Sequence, residues 1–128
     1  MGQWFQDIKE KIMIKEKLDI LVSSEVIDEA TRQYVLQVLE YLLENNIINE
    51  VAESDVFLTH LAMADTRRKK NEAVASLDDF ILSEITADPK FSDAKDLWVS
   101  IEEMATKNFE EAELDYFYLH IINLLKED

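Results

Sequence analysis

DEATRQYVLQVLEYLLENN, residues 28–46, carries Ala30, Tyr34, Val35, Val38, Leu39, Leu42 and Leu43 at intervals of one, three and four residues. At ~100° per residue these positions share one stripe of an α-helix, whereas a half-buried strand would need alternation. The segment reads as an amphipathic helix from about Asp28 to Asn46, ended by the Asn45-Asn46 pair. The rest of the chain agrees. It has one glycine, Gly2, and one proline, Pro89, so the turn chemistry that hairpins need is nearly absent. The expectation is an all-α bundle of five to six helices.

Outward from that stripe, a first helix is expected over Trp4–Leu21, ending at Val22-Ser23-Ser24, and a third over Ser54–Lys70 with Ser54 as its N-cap. A fourth, Leu77–Thr86, takes Ser76 as N-cap with Asp78 and Asp79 in its first turn. Asp88-Pro89 breaks the pattern. A fifth follows over Ser92–Ala105, with Ala94, Leu97, Trp98, Ile101 and Met104 inward, and a sixth over Glu110–Lys126. No repeat, low-complexity segment or linker divides the 128 residues, so a single domain over 1–128 is expected.

The chain lacks cysteine, which rules out a disulfide frame, a thiolate nucleophile and a Cys-based zinc site, and suits a reducing cytoplasm. Its apolar stretches are too short and too charged to span a bilayer, so no membrane association is expected. Thirteen Lys and Arg against 28 Asp and Glu give a net charge of −15. Direct nucleic-acid binding relies on cations meeting phosphates, so it is not expected. A partner with a basic patch fits the charge better.

Two histidines stand among apolar neighbours. THLAMADTRRKK, residues 59–70, places His60 on a helical face with Val56, Phe57, Met63 and Ala64, and Arg67 two turns on along the same stripe. YFYLHIINLL, residues 116–125, places His120 beside Tyr116, Phe117, Asn123 and Leu124, with Glu113 two turns earlier. Each imidazole is thus in line with one charged residue. Taken alone, a histidine on an apolar face is more often a packing residue than a reactive one, and RRKK is more often a set of cations at a helix C-terminus than a binding site. No HExxH or ExxH spacing occurs, because positions 57 and 117 are both Phe, so no metal is expected. The serines lack a glycine-bounded elbow and no Gly-rich phosphate loop exists, so the chain is not expected to be an enzyme and no cofactor is expected.

HLAMADTR (60–67) and EAELDYFYLHI (111–121) together resemble the two histidine motifs of the PTS regulation domain, or PRD. The first is His-Leu with a small residue four on and Arg seven on: His60, Leu61, Ala64, Arg67. The second has Glu seven before the histidine, an aromatic four before and an aliphatic just after: Glu113, Tyr116, His120, Ile121. Phe91, Ala94 and Trp98 are similar to a segment between the family's motifs, and the likeness covers about residues 15–125. The sequence differs in Thr59, where many members have Asp, in the acidic Asp65 within the first motif, and in having one such domain with no basic output module.

The resemblance implies a stand-alone, cytoplasmic, bacterial-type regulatory protein phosphorylated on His60, His120 or both. The donors it implies are the phosphocarrier protein HPr or a sugar-specific component of the phosphotransferase system. Arg67 and Arg68 would steady the added charge, with Glu113 and Tyr116 supporting the motif. It also implies a homodimer whose packing shifts on phosphorylation. For such a dimer the first helix offers Trp4, Phe5, Ile8, Ile12, Met13 and Ile14, residues that would serve equally as core. The alternative is a helical protein-interaction module that is not phosphorylated and keeps its histidines for packing.

Overall fold

The computed structural model describes residues 2–105 and 109–126, with side chains from residue 8 onward. Six α-helices appear among them: α1 Gly2–Ser23, α2 Glu29–Glu44, α3 Asp55–Lys69, α4 Asp79–Ala87, α5 Phe91–Glu102 and α6 Glu111–Leu125. A 3-10 turn, Val51–Ser54, precedes α3, and no strand is present among the described residues. The protein is all-α. No helix of the described residues is long and apolar enough to cross a membrane.

Helix ends show how a chain with one glycine stops its helices. Glu25, Asn46 and Asn71 each take the left-handed conformation, with φ of 61°, 55° and 57°. The next residue's N–H then reaches back to a carbonyl inside the helix: Val26 to Leu21, Ile47 to Leu42 and Glu72 to Arg67, at 2.9 Å each. This is the Schellman closure usually supplied by glycine. Asparagine tolerates it because its side chain is short and polar, whereas Glu25 carries the full Cβ penalty.

Helix starts differ from expectation at two serines. Asp78, not Ser76, caps α4, its carboxylate accepting from the backbone N–H of Phe80 and Ile81. Ser54 closes the 3-10 turn instead of capping α3, its hydroxyl donating to the Val51 carbonyl at 2.8 Å. Asp28 caps α2 through the Thr31 N–H. Thr31, three and four residues before Tyr34 and Val35, lies at the centre of the α2 stripe and is buried, while Ala30 at its edge is exposed.

The chain divides into two compact units, Met1–Thr66 and Arg67–Asp128. The division falls inside α3, so no loop composition announces it. In the first unit α1 packs on α2 and on the 3-10 turn. Its buried side chains include Ile14, Leu18, Val35, Val38, Leu39, Leu42, Val51, Phe57 and Leu61. On α1 only one side is buried. Ile14 and Leu18 are covered, while Ile12 and Met13 are 50% and 57% exposed. Trp4 and Phe5 lie outside the described side chains.

In the second unit α6 packs on α4 and α5. Its centre is aromatic. Trp98 stacks on Phe117 with ring centroids 4.4 Å apart and planes 18° apart, and Phe109 meets both rings edge-on at 5.6 and 5.2 Å. Offset stacking and edge contacts suit the ring quadrupoles and add about 0.5–1.5 kcal/mol per pair beyond area burial. Ala94 and Ile101, on the Trp98 side of α5, are fully buried. Lys126 near the C-terminal end of α6 pairs with Asp88 in the α4–α5 turn.

Candidate functional site

The two charged residues in line with the histidines meet each other. Arg67, in the last turn of α3, donates from Nε to Oε2 of Glu113 at 2.9 Å and from a terminal nitrogen to Oε1 at 3.0 Å. Glu113 sits in the first turn of α6. The pair is a two-point fork, the strongest arrangement available to a guanidinium and a carboxylate. Both helix ends favour it, since a cation suits a helix C-terminus and an anion an N-terminus.

Burial is uneven across the fork. The Glu113 side chain is 5% exposed and that of Arg67 25%. The hydrogen bond to Glu113 raises the Arg67 pKa further above its ordinary range, against the opposing effect of burial. Arg67 is therefore a permanent cation here. Each histidine lies seven residues from its member of the fork, His60 before Arg67 on α3 and His120 after Glu113 on α6. Seven residues are nearly two helical turns, about 10.5 Å of rise.

His60 and His120 are both half-buried. On His60 the Nε2 nitrogen is itself sealed from solvent. Only a movement of its surroundings would bring an incoming group to that atom. Tyr116, one turn before His120, donates its hydroxyl to the Ala75 carbonyl at 2.8 Å and so holds the segment ahead of α4. The Arg68 guanidinium stands 5.4 Å from the centre of the Phe109 ring, a cation–π distance.

The two residues that set this chain's motif apart have structural partners. Asp65, 2% exposed, accepts a 2.6 Å hydrogen bond from the hydroxyl of fully buried Thr31 on α2. Thr59 accepts from the Lys17 ammonium at 2.9 Å, and the same ammonium is 3.3 Å from Asp55. Sequence reasoning placed Arg67 and Glu113 as separate neighbours of two histidines. Their pairing had a signal, a cation and an anion each in line with a histidine on a stripe of apolar residues. Thr31 had one too, its place three and four residues before Tyr34 and Val35 on the α2 stripe, but a threonine in a capped first turn reads as polar surface. No three His, Asp or Glu residues gather as metal ligands among the described residues.

Comparison of the chain with protein-family models, with curated proteins and with solved structures finds no match.

Proposed function

We propose that this chain is a regulatory module of the PTS regulation domain type, modified by phosphate on His120 and His60 and acting through protein contacts. The observation that carries the reading is the Arg67–Glu113 fork. It joins the supporting residue of one histidine motif to that of the other, although 46 residues separate them in sequence. Two unrelated packing histidines would have no reason to bring their charged companions together.

Transfer to such a module is chemically simple. An unprotonated imidazole nitrogen attacks the phosphorus of a donor phosphohistidine. The new P–N bond forms as the donor's P–N bond breaks, and the donor leaves as neutral imidazole after a proton shift. An imidazole with a pKa near ~6.5 is substantially unprotonated at neutral pH. The product adds about −1.5 to −2 charge by analogy with hydroxyl phosphates. In a chain already at −15 that charge calls for a cation, and a guanidinium such as that of Arg67 binds phosphate through two donors. HPr or a sugar-specific transporter component is the donor class, and a homodimer in the cytoplasm is the assembly and location this reading carries.

The sealed Nε2 of His60 favours a second reading for that residue alone, a packing histidine in a module modified only at His120. The test is incubation with HPr, its upstream kinase and phosphoenolpyruvate, followed by mapping of acid-labile phosphate. Label on either histidine, lost on its replacement by alanine, is the expected result. Label on His120 alone assigns His60 to packing, and no label on either overturns the proposal.

A further inference from the structure

A second surface lies on the first unit, at the start of α3 ahead of the first histidine motif. A groove of about 330 Å³ runs between α1 and the junction of the 3-10 turn with α3, lined by Glu10, Met13, Ile14, Lys17, Ala52 and Asp55. We propose that it is a docking groove for a cationic amphipathic helix of a partner protein, which places an apolar side chain between Met13, Ile14 and Ala52 and its cations against Glu10 and Asp55.

The groove is held open by its own polar contacts. The Glu10 carboxylate accepts from the Ala52 N–H at 3.2 Å, one of the donors that the first turn of a helix leaves without an internal partner. Across the groove, Lys17 bridges Asp55 and Thr59. These bonds tie α1 to the 3-10 turn at one point and to α3 at another, with apolar residues between. Met13 in the groove is 57% exposed, and Ile12 and Val56, next in sequence to the lining residues Met13 and Asp55, are 50% and 67% exposed.

Charge selects the occupant. Two carboxylates and one ammonium line the groove, and the ammonium is already committed to one of the carboxylates. The whole chain stands at −15, so a cationic partner is drawn in. An apolar anchor flanked by cations at helical spacing is the pattern that grooves of this kind take. The volume is near the lower end of the range for small-ligand sites, enough for one or two side chains. The inference is independent of histidine phosphorylation.

The probe is a synthetic Lys/Leu amphipathic helix of about 18 residues, long enough to be helical in water. Its controls are a scrambled peptide of the same composition and a Glu/Leu counterpart. Methyl NMR of the methionines in the full chain reads the position, and titration reads the affinity. The Lys/Leu helix should shift Met13 and leave Met104 unmoved. Binding should weaken about ten-fold in Met13→Ser, whose side chain is already more than half exposed so that the fold is kept. It should also weaken in about 0.5 M salt. Equal binding of the scrambled peptide, a response at Met104 without Met13, or tighter binding of the Glu/Leu peptide would overturn it. So would concentration-dependent Met13 shifts with a doubled mass in the absence of peptide, which would assign the surface to a second copy.

Discussion

Removing Arg67 should cost far more than removing Glu113, although the two side chains make the same two hydrogen bonds. Arg67→Met takes the guanidinium from a Glu113 carboxylate whose side chain is 95% buried, and breaking a buried pair in this way costs about 3–5 kcal/mol. A quarter of the Arg67 side chain is open to water, so the pair is not fully desolvated and about 2–4 kcal/mol is the better range. Glu113→Leu instead leaves a guanidinium whose long stem lets it turn to solvent, at about 1 kcal/mol. The double variant removes both charges and should sit within about 1 kcal/mol of Glu113→Leu. The cycle then yields a coupling of about 1–5 kcal/mol. Urea unfolding followed by helical circular dichroism measures the three variants. At about 4 °C per kcal/mol for a chain of this size, Arg67→Met should melt about 10 °C lower. Equal losses from the two single variants, or additive losses in the double, would refute a buried fork with one exposed arm.

Four further outcomes are expected. Thr31→Val removes the hydroxyl from the buried Asp65 carboxylate and should destabilise by about 1–3 kcal/mol, with Thr31→Ser milder; a Val variant as stable as the parent in urea would contradict the contact. Glu25→Gly should stabilise by about 1 kcal/mol by removing a Cβ from a left-handed position, and a lowered melting temperature would count against that geometry. Asp88 is held below the usual carboxylate range by the Lys126 hydrogen bond and the Lys90 N–H. With a lowered folded-state pKa, its contribution is present above the unfolded value near 3.8 and is lost as pH falls through the folded one. Carboxyl NMR should show Asp88 titrating below ordinary aspartates, and an ordinary midpoint would remove the contact. Finally, carbethoxylation of His60 at Nε2, read by peptide mass spectrometry, should be slower in the native chain than in urea, and equal rates would show the nitrogen to be open.

The helices were legible because their cause is local. Apolar residues three and four apart, with a single glycine and a single proline, leave α-helix as the structure able to bury one side, and five of the six expected helices end within two residues of where α-helix is observed. The exception is the fifth, expected to Ala105 and observed to Glu102. Caps were less legible: Ser76 and Asp78 both stand ahead of α4, and the choice between them rests on which side chain reaches the free N–H groups of Phe80 and Ile81.

Periodicity along α1 could not say whether Ile12, Met13 and Ile14 were core or surface, since all three are apolar. Only the position of α2 and the 3-10 turn separates buried Ile14 from exposed Ile12 and Met13. The same holds for charge. Residue order puts Arg67 near His60 and Glu113 near His120, because on a helix neighbours are set by chain spacing. That Arg67 and Glu113 face each other across 46 residues depends on where the end of α3 lies against the start of α6, a matter of packing between segments that no spacing within either one contains.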